Sequence, residues 1–160
     1  MLTPTLLLLL ALLIGVVSGL RSLTAPAVVA WGAHLGWLHL TGTRLSFMSS
    51  VAAVALLSLL AIVELITDKL PSTPSRTAPV GLIARIVLGG FSGGVLYVAG
   101  ANHGFWLGAV LGVVGALIGT YGGYQVRTRT VKALHAPDFL IALIEDAIAI
   151  GGAFWIVSRF

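Results

Sequence analysis

Five stretches of the chain, Thr5 to Leu20, Phe47 to Thr67, Val80 to Gly100, Phe105 to Tyr124 and Phe139 to Ser158, contain only four charged residues between them: Glu64, Arg85, Glu145 and Asp146. A helix needs about 20 mostly apolar residues, with about 17 to 25 the usual range, to cross the hydrocarbon core of a bilayer. Lipid offers the backbone no hydrogen-bond partner, so such runs must close their own hydrogen bonds as helices. The expected fold is therefore an all-α, polytopic helical membrane protein forming a single transmembrane domain over residues 1–160. Only 9% of the residues are charged, against about a quarter in soluble domains, too few to cover a water-facing globule. The excess of nine Lys and Arg over five Asp and Glu then reflects cytoplasmic membrane loops rather than nucleic-acid binding. With no cysteine, neither a disulfide nor a thiolate metal site is open to this chain.

A sixth run, Ala25 to Leu40, would reach only about 24 Å as a helix at about 1.5 Å per residue. Its Gly32, Gly36, His34, His39, Trp31 and Trp37 suit a short span ending in an aromatic belt, or a re-entrant or interfacial helix. Five to six membrane segments are expected. The first run lacks a positively charged n-region and is expected to be retained rather than cleaved.

Charge asymmetry favours six crossings. Arg21, then Lys69 with Arg76, then Arg127, Arg129 and Lys132 fall on one side, leaving Arg44 and Arg159 on the other. The positive-inside rule makes the first side cytoplasmic and puts both termini outside. "RSLTAP" at 21–26, "SRTAP" at 75–79 and "HAPD" at 135–138 would then start segments two, four and six at that face. Thr24 and Thr77 are N-cap candidates, Pro26 and Pro79 fit a first turn, and Asp138 can cap or neutralise a helix dipole. Three segments per half would make the halves an inverted repeat, whereas the Ala-Pro copies suggest repeated hairpins.

Many of the 20 glycines recur at helical spacing: Gly15 with Gly19, Gly89 with Gly93, Gly90 with Gly94, and Gly115, Gly119 and Gly123. Small faces let backbones approach and gain dispersion contacts in lipid. Internal packing is the first use of such stripes, a glycine-lined path or a dimer seam the others, and a homo-oligomer is expected.

Twelve of the fourteen charged residues fall at or near the cytoplasmic face in this topology. Glu64 stands one turn above Asp68, so "ELITD" puts both carboxylates on one helix face. Arg85 lies about 8 Å, and Glu145 and Asp146 about 10 Å, from the starts of their segments by helical rise. Charges at membrane depth are costly and are usually paired or turned to water. Two readings stay open: a buried ion-pair network that sets helix register, and a cytoplasm-facing cavity. In the cavity, Glu64, Asp68, Glu145 and Asp146 bind a cation or exchange protons, with Arg21 and Arg85 as counter-charges. A third use places an anion or lipid phosphate on a basic rim of Arg76, Arg127, Arg129 and Lys132, beside three helix N-termini.

His34 and His39 are five apart, and His103 and His135 fall on opposite sides, a weaker constellation that leaves any metal site unassigned. No HExxH, GxSxG, Walker or GxGxxG pattern occurs, so neither an enzyme nor a cofactor is expected.

"GLRS" (19–22), "VELITDKLP" (63–71) and "APDFLIALIEDAIAI" (136–150) resemble the bacterial membrane-protein family catalogued as domain of unknown function 4126. The match falls on Gly19, Leu20, Arg21, Glu64, Asp68, Lys69, Pro71, Pro137, Glu145 and Asp146. The chain departs from that family's more acidic stretch after Pro71, where it reads "STPSRTAP". The resemblance implies no activity. The expected function is a small transporter or channel-like protein for an ion or small solute, the alternative a non-transporting adaptor or anionic-lipid-binding protein.

Overall fold

The computed structural model describes residues 2–69, 77–135 and 137–160. Among them run six α-helices: α1 (Pro4–Leu20), α2 (Thr24–His34), α3 (Val51–Thr67), α4 (Pro79–Ala101), α5 (Phe105–Leu134) and α6 (Asp138–Val157). A 3-10 turn, Ser46–Ser49, precedes α3, and no strand occurs among the described residues.

Local chemistry explains several helix ends. The Thr3 hydroxyl accepts from the Leu6 amide ahead of Pro4, and the Ser50 hydroxyl accepts from the Ala53 amide to start α3. α2 ends in a Schellman turn: Gly36 takes φ +80°, and the Trp37 and Gly36 amides return to the Gly32 and Ala33 carbonyls. That turn stops the helix at His34, six residues short of the expected Leu40. At the other extreme α5 runs ten residues past the expected Tyr124, so Arg127, Arg129 and Lys132 lie on its last turns rather than in a loop.

α1 is central and packs on α2, α4, α5 and α6. It lies parallel to α5 and antiparallel to α4, and glycine makes the close approach possible. A Cβ on Gly15 or Gly19 would meet the Gly112 or Ala116 carbonyl oxygen, and one on Gly115 or Gly119 the Leu12 or Val16 oxygen, each under 3.0 Å away. Across the α4–α5 contact the same holds for Gly93 against Gly108 and for Gly112 against Gly89. Gly108 and Gly112 thus join the seam, although only Gly115, Gly119 and Gly123 stood out on this helix in the sequence. Thr120 bonds the Gly19 carbonyl and Ser18 the Arg85 carbonyl, adding interhelical hydrogen bonds to the seam.

Helix direction alternates along the chain, so α2, α4 and α6 all start at the end where α1, α3 and α5 finish. At the opposite end Leu7 and Phe160 both lie against Gly100. The residues between α2 and α3 also pack there, with Leu38, Leu40 and Met48 buried.

Three helices, α4, α5 and α6, are long and apolar enough to cross a membrane. α1 and α3 are apolar but have 17 residues each, about 26 Å at 1.5 Å per residue. α2 has 11 residues and reaches only about 16 Å. Full-length helical spans are therefore fewer than the five to six expected. The shortfall arises where the Schellman turn ends α2 and where the Ser46–Ser49 turn takes the start of the expected 47–67 segment. Large apolar side chains stay exposed along the outside, among them Val51, Leu56, Leu59, Val80, Trp106 and Ile148, a surface compatible with lipid. The two halves carry helices of unequal length, 17, 11 and 17 residues against 23, 30 and 20.

Candidate functional site

The end shared by the starts of α2, α4 and α6 carries the buried charge. Arg21 caps the C-terminus of α1, its N–H bonding the Val17 carbonyl, and the residue is only 1% exposed. Its Nε donates to Asp146 Oδ1 at 2.5 Å and its Nη1 to Asp68 Oδ2. Asp146 also accepts from Lys69 Nζ through its other oxygen at 2.5 Å, and Arg85 Nη2 stands 3.9 Å from Asp68 Oδ2. Lys69 Nζ also bonds the Leu65 carbonyl at 2.7 Å, one of the free carbonyls at the end of α3. Arg21 thereby ties α1 to α3 and α6, and Asp68 extends the cluster to α4.

Glu64 takes a different part from the one expected of it. Its Oε1 accepts from the Ser22 amide at 2.8 Å and the Ser22 hydroxyl at 2.5 Å, and its Oε2 from the Leu23 amide at 2.8 Å. A carboxylate from α3 therefore caps the start of α2, where orphan amides and the positive helix end favour an anion. Thr24 is not the N-cap: the cap residue is Leu23, and Thr24 Oγ1 is buried with no hydrogen-bond partner. Nor is Thr77 the cap of α4, whose cap is Ala78 followed by Pro79. The ready signal for Ser22 was its place between Arg21 and the Thr-Ala-Pro helix start; its donor role depends on α3 arriving beside it.

Asp146 and Glu145 are adjacent on α6 but point about 100° apart around the helix, at 3.6 residues per turn. Asp146 joins the Arg21 cluster, whereas Glu145 Oε2 pairs with Arg127 Nη1 at 3.4 Å. Arg127 also makes a two-pronged contact with Asp138, at 2.9 and 2.6 Å. The expected four-carboxylate site is thus split: Asp68 and Asp146 share one cluster, Glu64 lies beside it as a helix cap, and Glu145 belongs to another. Of the expected basic rim, Arg127 is half-buried in these pairs, Arg129 and Lys132 are exposed, and Arg76 lies outside the described residues.

Glu145 and Arg127 stand at a groove of about 360 Å³ between α1, α5 and α6, whose other walls include Leu20, Ile118, Ile144 and Ile148. Among the described residues no three His, Cys, Asp or Glu side chains converge to hold a metal ion. Asp138→Asn should change stability by no more than about 1 kcal/mol, because its carboxylate is 62% exposed and such pairs are screened by water. Thermal unfolding in detergent checks this, and a loss of several kcal/mol would show that the α5–α6 contact depends on the pair. Compared with known proteins, the chain matches no family model, no curated protein and no solved structure.

Proposed function

We propose that this chain is a small membrane transporter or channel-like protein that moves an ion or small solute, and that the Arg21 cluster is what its substrate engages. The observation that carries the reading is sharing. Asp68 is held between Arg21 and Arg85, and Asp146 between Arg21 and Lys69. A carboxylate with two cationic partners can give up one and keep the other, so exchange need not strand a bare charge at low dielectric. A cation or proton that takes the place of Lys69 or Arg21 on Asp146 would free a counter-charge, linking occupancy to the packing of α1, α3 and α6.

The reading includes a homo-oligomer in the bacterial inner membrane, with the charged end cytoplasmic and both termini outside. It has six traverses, α2 being completed by the segment that follows it. Backbone of that kind is tolerated at membrane depth only where protein buries it or water reaches it; Leu38 and Leu40 are buried while Leu35, Trp37 and His39 are exposed, so the reading requires water or a second copy of the chain beside this segment.

Flux into proteoliposomes across a panel of ions tests the proposal. Asp146→Asn should lower flux by about 10- to 100-fold, the size expected for one charge-assisted contact, with Glu145→Gln affected less. A wild-type protein with neither flux nor saturable ion binding would end the transport reading.

The groove at Arg127, with exposed Arg129 and Lys132 beyond it, supports a second reading as a non-transporting, anionic-lipid-binding adaptor. In that case charge reversal at these three positions abolishes lipid copurification, and Asp146→Asn leaves it intact.

A further inference from the structure

The six helices are not held alike. α1, α4 and α5 meet backbone to backbone along the glycine seam, where a single added Cβ would clash. α3 has no such seam. Among the described residues it packs on α2 and on the Ser46–Ser49 turn, no other helix makes an extended contact with it, and of its 17 residues only Val54, Ala61 and Glu64 are buried. Between α3 and α6 a groove of about 160 Å³ runs past Ala61, Leu65 and Phe154 in place of a packed contact. The two ends of α3 are fastened by different chemistry. Near its start, Met48 is 1% exposed in the preceding turn, and Trp31 Nε1–H donates to Ser58 Oγ at 2.9 Å. Near its end the ties are charged: Lys69 reaches Asp146 on α6, Asp68 reaches Arg21 at the end of α1 and Arg85 on α4, and Glu64 takes the Ser22 and Leu23 amides. Asp68 stands on α3 itself and Asp146 holds α3 through Lys69, so a cation settling on either carboxylate cuts a tie that ends on this helix.

We propose that α3 is the moving element of the protein: it turns about Ser50, and cation occupancy of Asp68 or Asp146 frees its last turns from a fixed α1–α4–α5 body. Ser50 suits the pivot, being extended (φ −72°, ψ 146°) between the turn that buries Met48 and the first turn of the helix. The motion gives up few buried apolar contacts, which is where local opening costs least. Two buried atoms beside the charged ties, Arg21 Nη2 and Thr24 Oγ1, have no hydrogen-bond partner, and water entering behind the displaced end supplies one. Glu64 holds neutral donors, loses no counter-charge to an entering cation, and is the contact on which the end closes again. The inference deepens the transport reading by naming what a bound cation moves, and it rests on that reading only for the cation.

The chain has no cysteine, so spin labels on introduced cysteine pairs report single distances in proteoliposomes of the full chain. Ile66→Cys with Val126→Cys spans α3 and α5 at the charged end, Val51→Cys with Val110→Cys spans the same helices at the other end, and Val87→Cys with Val126→Cys lies within the glycine-packed body; all of these positions are exposed. Measured by double electron–electron resonance, Asp146→Asn should raise the ratio of longer to shorter distances in the first pair about tenfold, the worth of one charge-assisted hydrogen bond, and leave the other two pairs unchanged. Lys69→Met cuts the same tie from the α3 side and should do the same, and it serves alone if Asp146→Asn does not fold. Asp138→Asn, whose pair joins α6 to α5, should change none of the three. An unmoved first pair in either folded variant, or an equal shift in all three pairs, overturns the proposal. Ion flux beside an unmoved α3 leaves the transport reading standing without this motion, and a moving α3 in a protein with neither flux nor ion binding does the reverse.

Discussion

Arg21→Met is expected to cost about 3–5 kcal/mol of stability, the penalty for removing one partner from a buried charge pair. The physical basis is burial: Arg21 is 1% exposed and joins Asp68 and Asp146, which stand on different helices. Without it Asp68 keeps Arg85 and Asp146 keeps Lys69, but no side chain ties α1 to both. Met preserves much of the stem's packing, so the loss reads the charge rather than a cavity. Arg127→Met is the comparison: its closer partner Asp138 is 62% exposed, so that pair is worth no more than about 1 kcal/mol, and although Glu145 is 10% exposed it stands 3.4 Å away, so the total cost should stay below that of Arg21→Met. Reversible unfolding in mixed micelles measures both. Equal costs would show that the Arg21 cluster is not what holds this end of the bundle together.

The second large effect is expected at the glycine seam. A Cβ on Gly112 would fall under 3.0 Å from the Gly89 carbonyl oxygen, a backbone atom that cannot rotate away. Gly112→Ala must therefore push α5 off α4, at a cost of about 1–3 kcal/mol for overpacking, and Gly112→Val should cost more. Gly151 and Gly122 provide the opposite control. A Cβ at either meets nothing within 4 Å, so alanine there should stabilise by up to about 1 kcal/mol through helix propensity. If all four substitutions behaved alike, close backbone approach would not be what the glycines supply.

Part of this was legible in the residues. Uncharged runs of helical length specify helices in lipid, and the 4-residue glycine spacing specified close packing before any partner helix was known. The Gly115 and Gly119 stripe did not reveal that Gly108 and Gly112 continue the seam toward α4, because one helix can present two small faces to two neighbours. Helix ends were less legible. The Thr-Ala-Pro signature promised a cap from Thr24, but a carboxylate 40 residues away supplied it, and such a contact leaves no local trace. α5 outran its apolar stretch because a helix can continue past the hydrophobic window as long as its polar residues reach water or partners; Arg127 and Thr128 do so, with Thr128 bonding back to the Tyr124 carbonyl.

By itself, then, the sequence determined that the chain is helical and apolar, that glycine stripes pack its helices, and that its charges gather toward the starts of α2, α4 and α6. Those properties follow from composition and from periodicities along single helices. Only the tertiary structure decided who pairs with whom: Asp146 with Arg21 and Lys69, Glu145 with Arg127, and Glu64 with the amides of α2 rather than with any arginine. Pairing depends on the rotation and depth of each helix against its neighbours. The glycine contacts set them for α1, α4 and α5, and one residue's step along α6 was enough to send two adjacent carboxylates to different sites.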